Sequence, residues 1–182
     1  MPPRLEPKLG ILPAAQQQVW SSLRPASRLG FVLYGGTAIA LHLGHRTSVD
    51  FDFFRAGALD KEQIRSSLSF VRDASVLQET PDTLVISAAV PAGPVKVSFF
   101  GGMGIGRVND PLRTADGVLL VASLDDLMAT KLKAILDRAE VKDYGDIAAM
   151  ISAGASLPAG LSAFAQTLDG APARALRAIG CF

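Results

Sequence analysis

The chain is short of several things, and each shortage excludes something. It has one cysteine, Cys181, in 182 residues, so there is no intrachain disulfide framework and no thiolate metal site. Cysteine this sparse fits a reducing cytosol. Its two histidines, His42 and His45, stand three apart with Gly44 between them. The glycine breaks the helix there and no third ligand is at hand, which argues against an imidazole metal centre. No run reaches the roughly 18 apolar residues of a membrane span, and the start Met1-Pro2-Pro3-Arg4 lacks the apolar stretch of a secretion signal. A soluble, cytoplasmic protein is expected. A formal charge of +1 leaves no general pull toward nucleic acid or membranes, only the option of a local cluster of arginine and lysine.

What is present is a sequence able to bury a core: 49% hydrophobic and 19% charged residues rule out global disorder. The first dozen residues are proline-rich and read as an extended arm. Val19, Trp20 and Leu23 sit at helical spacing within a helix over 13–29. Phe31 to Tyr34 reads as a short buried strand, Thr37 to Leu43 as a helix stopped by Gly44, and Val49 to Phe54 as a strand. Asp60 caps a helix running to about Leu68. Three β-like runs follow, at 70–78, 83–90 and 95–100, with Pro81-Asp82 and Pro91-Ala92-Gly93-Pro94 as turns. After a short strand at 118–121, Ser123 opens a long helix, with Asp126 three residues on as a capping-box partner. A helix at about 141–151 and alanine-rich helices complete the chain. The fold class expected is α+β: a small mixed sheet flanked by helices over residues 1–122, then a helical part over 123–182 packed on it.

The acidic strand carries the chemistry. Side chains alternate across a strand, so Asp50 and Asp52 share one face and Val49, Phe51 and Phe53 the other. Two carboxylates this close repel unless they are solvated, share a proton, or are bridged by a divalent cation. The Gly35-Gly36-Thr37 turn upstream offers bare backbone N–H groups to a phosphate. The order of strand, glycine turn, short helix and returning acidic strand puts the turn and both carboxylates at one end of one sheet. That is where a Mg²⁺–triphosphate would need them.

Later in the chain, Lys131 stands four residues from Leu127 and from Ile135 and shares their inward stripe, either reaching the rim or entering a polar cleft. Lys133 belongs to the outer face. Asp143, Asp146, Ile147 and Met150 share a face of the next helix, with Arg138 available as an ion-pair partner. Gly101-Gly102-Met103-Gly104-Ile105-Gly106 has the look of a phosphate loop. It lacks a following Lys-Ser/Thr pair and opens no clear helix, so it reads as a flexible turn.

Gly35-Gly36-Thr37-Ala38, His45-Arg46-x-Ser48-x-Asp50-x-Asp52-x-Phe54, Lys131-Leu132-Lys133-Ala134 … Arg138 and Lys142-Asp143-x-x-Asp146 together resemble the nucleotidyl transferase AbiEii/AbiGii toxin family. This family is a branch of the DNA polymerase beta-like nucleotidyltransferase superfamily. The resemblance implies a polymerase beta-like core in which Gly35, Gly36 and Thr37 hold a nucleoside triphosphate, with Ser48, Arg138 and Lys142 also binding nucleotide. Asp50 and Asp52 would bind catalytic Mg²⁺, Lys131 would contact phosphate or the attacking group, and Asp146 would be a further essential acid. It implies a toxin with a cognate antitoxin, and in some members nucleotide transfer from an NTP to the acceptor end of tRNA. One departure stands out. Such enzymes carry a third carboxylate on a later strand, and the residue aligned with it here is Ser98, whose hydroxyl cannot act as a general base at neutral pH. A nucleotide-binding or partner-binding module with weakened catalysis is therefore the alternative.

Overall fold

The computed structural model describes residues 3–102 and 104–180; Cys181, Met103 of the glycine loop and the first two residues of the arm lie outside them. The chain forms two compact units, Met1–Met103 with Pro111–Val121, and Gly104–Asp110 with Ala122–Phe182. The first contains β1 (Arg4–Leu5), α1 (Ala14–Val19), α2 (Arg24–Arg28), β2 (Val32–Tyr34), α3 (Gly35–Leu43), β3 (Asp50–Phe54), α4 (Lys61–Ser67) and α5 (Ser69–Arg72). It continues with β4 (Ser75–Thr80), β5 (Thr83–Val90), β6 (Gly93–Phe100), β7 (Leu112–Thr114) and β8 (Leu120–Val121). The second contains α6 (Leu124–Arg138), α7 (Val141–Ser152), α8 (Leu157–Leu168) and α9 (Pro172–Ile179).

Among the described residues the strands form one sheet in the order β1-β7-β8-β2-β3-β6-β5-β4, a mixed α+β arrangement. β3 runs antiparallel to β2 and parallel to β6, and β4, β5 and β6 form the antiparallel meander that their turns foretell. The apolar face of β3 and β6 builds the core. Phe53 stacks on Phe51 and Phe99 with ring centroids 6.3 and 5.5 Å apart, and Phe31 meets Phe99 edge-on at 5.2 Å. Aromatic pairs at such spacings add about 0.5–1.5 kcal/mol each beyond area burial.

Three local expectations are corrected. The arm is no free extension: Arg4–Leu5 pairs in parallel with β7, and Leu5 and Leu12 are buried. The helix expected over 13–29 is broken by a 3-10 turn at Trp20–Leu23, after which Pro25, lacking an N–H, sits in the first turn of α2. The break leaves Trp20 buried with its indole N–H donating to Asp116 Oδ2 at 2.7 Å. The strand expected from Phe70 begins only at Ser75. Ile64, Leu68 and Val71, all buried, follow helical rather than alternating spacing, so Ser69–Arg72 is a helical turn.

In the helical unit serine side chains cap α6 and α8, and a bare glycine lets two helices close on each other. Ser123 accepts the Asp126 N–H at 3.1 Å and donates to Asp126 Oδ2 at 2.7 Å. Instead of reaching back to the Ser123 N–H as a capping box would, Asp126 accepts the Val108 N–H at 2.8 Å, which ties residues 104–110 to α6. Gly160 lets α8 press on α6: a Cβ there would overlap Met128 Cγ and lie 2.8 Å from Met128 Cβ. Gly160→Ala is expected to destabilise the protein by about 1–3 kcal/mol through overpacking, read as a lower urea midpoint at unchanged slope.

Candidate active site

β3 presents its two carboxylates as the alternation requires. Phe51 and Phe53 are fully buried, whereas Asp50, Asp52 and Phe54 are part-exposed on the opposite face. The parallel register with β6 turns that face into three rungs, Asp50 beside Lys96, Asp52 beside Ser98 and Phe54 beside Phe100. The side chains agree with the register: Lys96 Nζ is 3.5 Å from Asp50 Oδ2, and the Phe54 and Phe100 rings stack at 4.7 Å. Tyr34 is the antiparallel partner of Asp52 and meets Phe54 edge-on at 5.3 Å. Ser98 flanks Asp52 at the position where the resemblance calls for a third carboxylate.

The glycines belong to the helix rather than to a turn before it. α3 starts at Gly35, whose φ of +74° is the left-handed conformation that glycine adopts without steric cost. A Cβ on Gly35 would come 2.8 Å from Asp52 Oδ2, so the bare Cα is what lets this carboxylate lie against the start of α3. The first turn of a helix leaves N–H groups without intrahelical acceptors and carries partial positive charge, so anions are favoured there. A Cβ on Gly36 would overlap the Arg46 guanidinium and lie 3.0 Å from Ser48 Oγ. Thr37 is buried; its hydroxyl donates to the Asp50 carbonyl and lies 3.0 Å from Ser48 Oγ. Its role is to fasten α3 to the acidic strand. Buried Gln16 holds the approach to the strand by donating to the carbonyl of Val49, which was expected on the apolar face but precedes β3 and is exposed.

The donor set suits a hard cation. Two carboxylates and nearby hydroxyl oxygens match Mg²⁺, which is usually held by one or two protein carboxylates together with substrate phosphates and water. Among the described residues no group of three or more His, Cys, Asp or Glu could hold a metal alone, and His42 and His45 join no such group. The bare glycines let Asp52, the Arg46 guanidinium and the Ser48 hydroxyl approach the start of α3 closely.

The remaining site candidates lie in the helical unit, where Lys131 and Asp146 form a buried ionic cluster with Asp143, joined at its exposed side by Arg138. Lys131, with its side chain 7% exposed, neither reaches a rim nor stands alone. Its Nζ is 2.7 Å from Asp143 Oδ1 and 2.8 Å from Asp146 Oδ2, both carboxylates fully buried. Arg138 adds a fork to Asp143, with Nε 3.0 Å from Oδ2 and Nη2 3.1 Å from Oδ1. Burial pushes the Asp143 carboxyl up, but the hydrogen bonds and charges of Arg138 and Lys131 outweigh it and hold the group below its ordinary 3.8. Lys142 is exposed and pairs with Glu140 at 2.8 Å. Lys133 pairs on the outer face with Asp137. In the glycine loop, the Gly101 and Gly102 N–H groups donate to the Asp82 and Gly57 carbonyls, so they are not presented to a phosphate.

Two residues near the carboxylates escape a reading of motifs. Lys96 is signalled only by register, because it pairs with Asp50 from a strand more than forty residues on. Arg46 lies within the quoted motif, yet nothing in the spacing says that its guanidinium folds over Gly36.

Solved structures share this fold. An H. pylori protein whose name proposes a nucleotidyltransferase superimposes with a TM-score of 0.63 at 16% identity, over 91% of this chain and 80% of that one. The antibiotic-resistance factor ANT(2'')-Ia gives 0.57 at 13% identity, over 85% and 91% of the two chains. The same factor bound to adenylyl-2''-tobramycin gives 0.53 at 13%, over 77% and 90%. At these identities the likeness establishes the fold. The family follows from sequence: residues 19–178 match the nucleotidyl transferase AbiEii toxin of type IV toxin–antitoxin systems, and the chain belongs to that family. An uncharacterized protein of Aquifex aeolicus (strain VF5) is 30% identical over 119 residues, 64% of this chain but only 55% of that protein's length.

The ionic cluster generates a prediction about stability. Lys131→Met leaves two carboxylates buried without their shared ammonium and is expected to cost about 3–5 kcal/mol in urea unfolding at pH 7. Because the Asp143 value is depressed in the folded state, its contribution is complete above about pH 4 and is lost as the pH falls through the folded-state value. Asp143→Asn should therefore blunt the acid limb of the stability–pH curve while lowering the plateau.

Proposed function

We propose that this chain is a Mg²⁺-dependent nucleotidyltransferase and the toxin of its pair, moving a nucleoside monophosphate from an NTP to an acceptor hydroxyl on tRNA, another RNA or a protein. A cognate antitoxin protein is the expected partner. The observation that carries the reading is the pair Asp50 and Asp52 on one face of β3, with Asp52 lying against Gly35 at the start of α3.

Asp50 and Asp52 would hold the divalent cation, which supplies charge neutralisation on the phosphates. The first turn of α3 would present its N–H groups to phosphate oxygens, with the Arg46 guanidinium and the Ser48 hydroxyl at its flank. The acceptor oxygen attacks the α-phosphorus, an O–P bond forms, the α–β bridge breaks and pyrophosphate leaves. The acceptor proton passes to a carboxylate of the pair or to water, since Ser98 cannot take it. Such transfer asks a protein mainly for positioning and charge stabilisation. On this reading Lys131 and Asp146 serve by locking α6 to α7, and Arg138 and Lys142 are the cations at the exposed end of that lock.

Ser98 beside Asp52 favours a second reading, a module that binds NTP and Mg²⁺ without efficient transfer. Labelled NTPs with Mg²⁺ and total tRNA separate the two. Transfer is expected, and Asp50→Asn or Asp52→Asn should lower it at least about a hundredfold. Gly35→Ala should fail similarly while folding, because its methyl displaces Asp52. Calorimetric NTP–Mg²⁺ binding without label in RNA or protein supports the binding module. Label in the small-molecule fraction points instead to an acceptor like the aminoglycoside of ANT(2'')-Ia.

A further inference from the structure

A second charged feature lies in the sheet unit, away from the carboxylates. Arg24, Ser27, Arg28, Arg113 and Gly117 line an open recess of about 180 Å³. Arg24 and Arg28 are one helical turn apart on α2 and so project from the same face. Arg113 comes from β7, and the next strand places Arg4 in register beside it. Four of the twelve arginines thus gather at one edge of a chain whose formal charge is only +1.

The recess is built, and its cations are not used up in building it. Arg24 donates to the Asp116 and Gly117 carbonyls at 3.3 Å each, which fixes the guanidinium over the β7–β8 turn. Ser27 takes the Leu120 N–H at 3.1 Å and gives its own proton to the Val118 carbonyl at 3.0 Å, which locks α2 to the same turn. The nearby acid, Asp116, engages its oxygens with the Trp20 indole and with the Val118 N–H at 3.1 Å, and its charge is felt by Arg24 alone among the lining arginines. Among the described residues neither Arg28 nor Arg113 has a carboxylate partner, and both are exposed. Like-charged guanidinium groups held around one recess repel, and an anion between them relieves that repulsion. Planar forks suit the oxygens of a phosphate, to which they bind bidentately.

We propose that this recess is a phosphate-binding site, distinct from the NTP site, that takes one phosphate group of a phosphorylated ligand or of a nucleic-acid backbone. β2 and β8 run parallel, and α2 and the β7–β8 turn lead into their starting ends, whereas Gly35 follows the finishing end of β2. The two sites therefore lie at opposite ends of the same strands. The inference stands independently of any metal or nucleotide at Asp50 and Asp52.

Trp20 is the only tryptophan, and its indole is bonded to Asp116, the neighbour of Gly117 in the recess wall. Its fluorescence is a local reporter. Inorganic phosphate titrated into the full chain in EDTA, which keeps divalent cations off the carboxylates, should give a saturable change. Arg28→Ala with Arg113→Ala should weaken the binding about tenfold or more for each guanidinium removed. The charge-conserving pair Arg28→Lys and Arg113→Lys should fall between, with unaltered circular dichroism as the check on folding. A single-stranded oligonucleotide identifies the source of the phosphate. If a nucleic-acid backbone is the ligand, the double alanine variant lowers the slope of log affinity against log salt by about one for each arginine. If phosphate saturates the site and the oligonucleotide does not, the ligand is a small phosphorylated compound. The proposal is overturned if phosphate gives no saturable response by fluorescence and no ³¹P line broadening. It is equally overturned if the double alanine variant binds like the parent, or if binding is lost on Asp50→Asn and Asp52→Asn instead.

Discussion

The approach of the Asp52 carboxylate to Gly35 is the contact on which the candidate site depends. Gly35, at φ +74°, opens α3 directly after β2, and β3 returns antiparallel beside β2 with Tyr34 opposite Asp52. Any side chain at position 35 would meet both a steric cost from that φ and the Asp52 oxygen. The approach is also electrostatically sensible, because a carboxylate near a helix N-terminus gains about 0.3–1 kcal/mol. The Thr37 hydroxyl on the Asp50 carbonyl then holds the strand in register with the helix, and the Gln16 amide on the Val49 carbonyl holds its approach. Behind the strand, the stacked Phe51, Phe53 and Phe99 make a one-residue slip expensive, since a slip would bury both acids and expose the rings.

The two charged centres differ in kind. Lys131 sits with two fully buried carboxylates at 2.7 and 2.8 Å, and a cation so engaged is more an architectural element than a hand extended to a ligand. Removing any member would strand charge in a poorly solvated interior. Lys96 and Asp50, by contrast, are part-exposed and 3.5 Å apart, a pairing that solvent screens and that is worth little. Such a pair can be rearranged at small cost when a more strongly charged group arrives, which is the behaviour expected of a binding surface.

Much of this was legible from sequence because the relevant signals are local. The alternation in Val49–Phe54 announces which face Asp50 and Asp52 share, and the four-residue spacing around Lys131 announces its inward direction. Asp143 and Asp146 could be placed on one helix face by the same rule. What was hidden is what depends on distant chain. The short strands β1 and β7 carry no periodicity of their own and exist because they pair with each other and β7 with β8. All six residues of β4 are exposed, so that edge strand shows no alternation to read, and the helical spacing of Ile64, Leu68 and Val71 decides the preceding segment. Lys96 beside Asp50 required the β3–β6 register, and the fold of Arg46 over Gly36 required the loop before β3 to be closed.

The serine on the rung beside Asp52 bears on how the proposed site would work. Ser98 is buried and in register with Asp52, so a carboxylate at this position would bring a third negative charge beside two that already repel. Such a trio calls for a bridging metal, a shared proton or fuller solvation. With serine the strand keeps an oxygen donor but not the charge, and the metal-free protein is spared that repulsion. The corresponding loss is affinity: two carboxylates, one already engaged by Lys96, attract a divalent cation less strongly than three. On the proposed reading the missing negative charge would have to come from the triphosphate, so cation and nucleotide would bind as one, each weak without the other. A site of that kind is silent toward metal alone and shows itself when nucleotide is present.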